Sequence, residues 1–149
     1  VIETADSVLV ANKNNAQSIK ELVKLLEENH QHLLNEHTKV MRPWGWFEKT
    51  DEGSNFKVKR ILINPGAKIS YQSHQFRNEH WVVVRGRATV ICDNKELIIK
   101  MDESIYIKKR IKHQLINLEK TNLEIIETQT GEVLSEEDIQ RFSDEYGRI

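Results

Sequence analysis

Four side chains, Gln72, His74, Glu79 and His113, are of the types and at the spacing that can hold a metal ion. Gln72 and His74 stand two apart on one expected strand, so both leave the same face of it. The residues from Gln75 to Asn78 form a turn, Glu79 opens the next strand, and His113 opens a later one. One amide oxygen, two imidazoles and one carboxylate suit a borderline divalent ion such as zinc, cobalt, manganese or iron. The competing reading is a polar strand end with ordinary hydrogen bonding. His30, His32 and His37 form a second group at the weak end of an expected helix, and they read as a solvated helix end.

The elements that must position these residues follow from periodicity. Ile19, Leu22, Val23 and Leu26 repeat on one helix face, with Lys20, Lys24, Glu27 and Glu28 opposite. Asn14 or Asn15 is the expected N-cap, and the helix should fray between Asn29 and Asn35. From Arg42 to Thr130 the pattern changes to short strands. They are expected at Trp46–Lys49, Phe56–Asn64, Ile69–Ser73, Glu79–Arg85, Ala88–Cys92, Glu96–Lys100, Ser104–Ile107, Gln114–Asn117 and Leu123–Thr128. Turn signals punctuate them at 51–55, Pro65-Gly66, Gly86-Arg87 and Asp93-Asn94. Short strands at this spacing, with no helices between them, predict an antiparallel sandwich or barrel. A final helix is expected from Ser135, capped with Asp138, to about Tyr146, where Gly147 ends it.

Composition narrows the class. The 149 residues include 38% hydrophobic and 30% charged, with a mean hydropathy of −0.58, which suits a globular protein and is too apolar for a disordered one. Basic and acidic residues nearly cancel, 22 against 23, so neither nucleic acid nor an anionic membrane is the expected partner. No apolar run approaches the ~20 residues of a membrane span, and the first residues do not read as a signal peptide. The lone Cys92 excludes an internal disulfide framework and a cysteine-rich zinc site, so a cytoplasmic setting is expected. The chain opens with Val1, as a piece of something longer would.

The spacing of Pro65-Gly66, Gln72-Ser-His74, Glu79 and Gly86 resembles the first motif of the cupin barrel, with Gln72 in the first His place. His113 and Asn117 match the second motif, while Asp102, Lys108 and Arg110 depart from its Gly, Pro and Gly. The strings Arg42-Pro-Trp-Gly45, Phe56-Lys-Val-Lys-Arg-Ile61, Arg77-Asn-Glu-His-Trp81 and Tyr146-Gly-Arg148 narrow the likeness further. They resemble the type II mannose-6-phosphate isomerase domain, which in bacteria is usually fused behind a mannose-1-phosphate guanylyltransferase. The resemblance covers about Thr38 to Arg148. It implies a cupin-type antiparallel β-barrel (jelly roll) over 38–149, to which the N-terminal helix and the short C-terminal helix read from the pattern are added. Residues 1–37 look like the tail of the guanylyltransferase half, whose Gly-rich nucleotide loop is absent here.

The resemblance also implies Gln72, His74, Glu79 and His113 as ligands of one divalent metal ion, zinc first and cobalt or manganese behind it. The implied reaction interconverts mannose 6-phosphate and fructose 6-phosphate. It moves a proton between carbon-1 and carbon-2 through an enediolate, whose charge a metal can stabilise. For proton transfer and charge stabilisation the family points to Arg77 and His80. Arg77 sits in the turn between two ligands, where it could reach phosphate or enediolate oxygens. If Glu79 points inward, alternation sends His80 outward unless a bulge intervenes.

Lys57, Lys59 and Arg60 are phosphate-binding candidates, on a strand whose inner face the pattern leaves open. Trp44, Trp46 and Trp81 could line a sugar site, but aromatic residues in strands are more often core. Two other classes stay open: a non-haem iron oxygenase built on His74, Glu79 and His113, and a non-catalytic module that binds sugar or aids assembly. By analogy with cupins a homodimer is the expected assembly, with a small sugar phosphate as ligand.

Overall fold

The computed structural model describes residues 1–3, 8–15, 17–29 and 39–148, and divides the chain into units Val1–Val40 and Met41–Ile149. In the first unit β1 (Ile2–Glu3) pairs antiparallel with β2 (Val8–Leu9). A 3-10 turn (Lys13–Asn15) and helix α1 (Ser18–Asn29) follow. Asn14 and Asn15 are not the N-cap. They are consumed in the 3-10 turn, where the Asn12 side chain accepts from the Asn14 N–H at 3.0 Å, and α1 begins only at Ser18. His30, His32, His37 and most of the expected fraying segment lie outside the described residues.

The remaining strands are β3 (Lys39–Arg42), β4 (Gly45–Glu52), β5 (Phe56–Ile63), β6 (Tyr71–His74), β7 (Arg77–Arg85), β8 (Arg87–Cys92), β9 (Lys95–Lys100), β10 (Ser104–Ile107), β11 (His113–Ile116), β12 (Leu123–Gly131) and β13 (Ile139–Ser143). They form a six-stranded sheet in the order β10-β7-β12-β5-β4-β3 and a five-stranded sheet in the order β13-β6-β11-β8-β9. The sheets face each other as a jelly roll that does not close into a barrel. Ile61, Ile63, Trp81, Val83, Leu123 and Ile125 of the first meet Ala88, Val90 and Leu115 of the second in the core. All nine strands expected from periodicity are present, within two or three residues at their ends.

The register of the central strands sorts their inward side chains into rows. Lys57, Gln129 and Glu79 face one another across β5, β12 and β7, and Lys59, Glu127 and Trp81 form the next row. Ile61 and Ile125 then continue it, with Val83 beside Ile125. One end of the inner surface is therefore polar and the other apolar. This row order settles which face of β5 is inside: Lys57 and Lys59 are buried, and Arg60 is exposed.

The expected C-terminal helix is absent. Ser135 does cap, its hydroxyl accepting from the Glu137 N–H at 3.1 Å, but only a single 3-10 turn, Glu136–Asp138, follows. The Asp138 carboxylate does not reach back to complete a capping box. It accepts instead from the Gln75 and Phe76 N–H groups at 2.9 and 3.2 Å. The free edge of β6 then takes residues 139–143 into a ladder, with Ile139 opposite His74 and Arg141 opposite Gln72. Tertiary pairing outweighs the weak local helical preference.

Asn117 ties the loops at the apolar end. Its buried amide nitrogen donates to the carbonyls of Ile63 (3.0 Å), Asn64 (3.1 Å) and Thr121 (2.8 Å), and its oxygen accepts from the Glu119 N–H at 3.1 Å. Asn117→Ala leaves these groups without their partner, and it is expected to cost about 1–3 kcal/mol in urea unfolding.

Candidate metal centre

The polar end of the sandwich gathers side chains from both sheets. His74 ends β6 and His113 opens β11 in one sheet, and Glu79 lies on β7 in the other. All three are buried, at 2%, 0% and 2% exposure. His74 Nε2 is 3.0 Å from Glu79 Oε1, His113 Nε2 is 3.5 Å from Glu79 Oε2, and the candidate ligand atoms lie within 4.8 Å of one another.

The other ring nitrogens are occupied. His113 Nδ1 is 2.9 Å from the Ile111 carbonyl and His74 Nδ1 is 3.3 Å from that of Asp138. A carbonyl can only accept, so each Nδ1 carries a proton, and in the neutral ring each Nε2 turns its lone pair to the cluster. Glu79 Oε2 and His113 Nε2 are buried without a hydrogen-bond partner. Two orphaned lone-pair atoms facing each other, with a third close by, are what a cation would satisfy. The donor set fits a divalent metal.

Gln72 is buried beside the cluster, but its amide nitrogen, 3.5 Å from His74 Nε2, faces inward, while its oxygen accepts from the Ser70 hydroxyl at 2.6 Å. A half-turn of the amide exchanges the two. Arg77 does not lie in the expected turn but opens β7. At 2% exposure it donates from Nε to Glu79 Oε1 (3.1 Å) and from Nη1 to the Ser135 carbonyl (2.8 Å).

Two expected site residues are not brought in. β7 runs without a bulge at its start, so His80 is exposed on the outer face, 3.1 Å from the Ser104 hydroxyl. Arg60 is likewise on the outer face, paired with Glu124 and stacked over Trp46. Lys59 lines the cavity, pairs with the half-exposed Glu136 and lies over the Phe47 ring at 4.7 Å.

Periodicity alone did not reveal Glu127, Gln129 and Arg141. Glu127 and Gln129 interrupt the inner face of a strand otherwise lined by Leu123 and Ile125, which is the signal that marks them. Glu127 accepts from Trp81 Nε1 at 2.9 Å and from Gln129 Nε2 at 2.7 Å. Arg141 lines the cavity with its Nε buried and without a hydrogen-bond partner, and it was hidden by reading β13 as helix.

Burial alone would raise the Glu79 carboxyl, but the facing His113 and His74 hold it well below the usual carboxylate range. Burial opposes charge on His113, yet Glu79 outweighs it and raises the imidazole. Glu127 is pushed up to about 7 by burial and by the charge of Glu79, against the pull of Lys59 and Arg77. Burial would raise Glu136 too, but Lys59 holds it low.

A jelly roll with a His/Glu/His cluster at one end is a cupin-type protein. A solved sugar phosphate isomerase of the cupin superfamily from Silicibacter pomeroyi has a similar fold, with a TM-score of 0.54 and 19% identity over 57% of this chain and 58% of that one. The family is narrower: the chain belongs to the mannose-6-phosphate isomerase C-terminal family, whose model matches residues 29–144. It is 45% identical over 150 residues to a mannose-1-phosphate guanylyltransferase of Salmonella montevideo, covering 99% of this chain and 31% of that protein. It is 44% identical over 148 residues to the alginate biosynthesis protein AlgA of Pseudomonas putida, covering 99% and 30%. The chain thus spans about a third of the length of the curated relatives it matches. No helix among the described residues is long and apolar enough to cross a membrane.

The shifted groups set a pH dependence for the metal-free protein. Between 4.5 and about 7 folded Glu127 keeps a proton that the unfolded chain has released, so stability falls as pH rises. The contribution of His113 is complete below 6.5 and is lost as pH rises through its higher folded value. Glu79 and Glu136 act only below 4.5, where their contribution is lost as pH falls through their depressed values. Urea midpoints with chelator present are expected to peak at about pH 5 and decline toward about pH 8, and Glu127→Gln should flatten the part below about 7.

Proposed function

We propose that the chain is a metal-dependent isomerase domain that interconverts mannose 6-phosphate and fructose 6-phosphate. In this reading it works within a longer cytoplasmic protein that also carries mannose-1-phosphate guanylyltransferase, with residues 1–37 as the tail of that other domain. The observation that carries the reading is the convergence of His74, Glu79 and His113, with orphaned lone pairs, in a chain of this family. These three and Gln72 would hold one divalent ion, zinc first and cobalt or manganese behind it. When bound, the ion would supply Lewis-acid stabilisation of the negative charge that develops in the reaction.

The chain's own residues supply the rest. Arg77, fixed by Glu79 and the Ser135 carbonyl, places a permanent charge where negative charge develops on the sugar oxygens. Arg141 offers an unused Nε donor to the phosphate, with Lys59 and Arg148 on the same cavity wall. Walls made by Trp44, Phe47 and Ile61 exclude water from the reacting carbons.

In a coupled assay the metal-loaded protein is expected to convert mannose 6-phosphate, and to form no GDP-mannose from mannose 1-phosphate and GTP. Binding of the sugar phosphate without turnover would overturn the enzymatic reading in favour of a binding module. His74→Ala, Glu79→Ala and His113→Ala should each lose stoichiometric metal and all turnover. Arg77→Ala should keep the metal and lose about 10²-fold in rate or phosphate affinity. An Arg77→Ala protein as active as its parent would remove that residue from the mechanism.

A further inference from the structure

An aldose–ketose isomerisation needs one group that takes a proton from one carbon and returns it to the next. That group must be basic enough to act, close to the metal cluster, shielded from water and not already bound to a cation. The titratable groups of the cavity can be sorted on these terms. Glu79 belongs to the cluster, and both imidazoles are committed there by their fixed Nδ1 atoms. Glu136 is half-exposed and salt-bridged to Lys59, and His80 faces outward. Glu127 meets all four conditions.

It is 5% exposed and lines the cavity on β12, one inward position from Gln129, which lies opposite Glu79. Both of its oxygens are held by neutral donors, Trp81 Nε1 and Gln129 Nε2. Such donors aim a carboxyl without fixing it as an anion, and each oxygen keeps a second lone pair free. Charged groups face it from several elements: Lys59 on β5, Arg77 and Glu79 on β7, His113 on β11, and Glu136 in the 3-10 turn. No cation is hydrogen-bonded to its carboxyl among the described residues.

We infer that Glu127 is the catalytic residue that carries the proton between carbon-2 and carbon-1 of the sugar phosphate. The assignment rests on the isomerase reading above. In the forward direction the carboxylate takes the hydrogen of carbon-2 as a proton. The C–H electron pair becomes the carbon-1–carbon-2 double bond, and the carbonyl pair moves onto oxygen-1. The same carboxyl then returns its proton to carbon-1 as the double-bond pair closes on it. The hydroxyl proton passes from oxygen-2 to oxygen-1, leaving the ketone at carbon-2. No atom or electron is gained or lost.

The test uses metal-loaded protein and Glu127→Gln, with isomerisation, metal content and mannose 6-phosphate affinity measured together. Exchange of the carbon-2 hydrogen in deuterium oxide is followed by NMR. The variant is expected to keep its metal and its affinity, to lose about 10²–10⁴-fold in kcat, and to lose exchange in parallel. A purely structural role would change the unfolding midpoint and leave exchange per folded molecule intact. An active parent with an equally active Glu127→Gln overturns the assignment alone. A parent that neither isomerises nor exchanges overturns the isomerase reading and this assignment with it. Glu127→Asp, which withdraws the carboxyl by one methylene, serves if Glu127→Gln does not fold: reduced kcat with retained affinity supports the assignment, and unchanged kcat overturns it.

Discussion

A carboxylate shut between two β-sheets is the constraint around which this molecule is arranged. Removing an ion from water costs several kcal/mol unless opposite charge and hydrogen bonds replace the solvent. Glu79 is met on one side by His74 and Arg77, on the other by His113, and from β12 by Gln129. The cross-strand rows extend that compensation, setting Lys57 and Lys59 into the same interior. A slip of one residue on β5 would turn both lysines out and bring Arg60 in. Register is therefore specified twice, by the apolar rows at one end and by charge matching at the other.

Much of this was legible in the sequence because strand alternation has an unambiguous period. The pairing of Gln72 with His74 on one face, and the outward course of His80, both follow from counting by two. The inner face of β5 was not legible. Phe56, Val58 and Leu62 on one side balance Ile61 and Ile63 on the other, and only the partner strand β12 decides between them. Local pattern cannot contain that information.

The C-terminal segment failed for a related reason. Ser135 and the acidic residues after it carry a real helix-start signal, and the structure uses it for a single turn. What ends the turn is the vacant edge of β6, together with the N–H groups of Gln75 and Phe76 that claim the Asp138 carboxylate. The alternation of Ile139 and Arg141 was present, but five residues are too few to outweigh a capping signal. Glu127 was missed differently. A charged residue in an apolar strand looks like a misplaced surface residue until the facing Trp81 and Gln129 are known.

The cap and 3-10 turn that precede β13 support two members of the centre from far along the chain. The carbonyl of Asp138 fixes the ring of His74, and that of Ser135 holds Arg77, although each pair lies about sixty residues apart in the chain. His113 needs no such help, because its ring is fixed locally by the Ile111 carbonyl. Without the turn that carries Asp138, His74, Glu79 and His113 would all be present and the His74 tautomer would be unfixed. The geometry offered to a metal thus depends on the segment 135–143 being seated against the edge of β6.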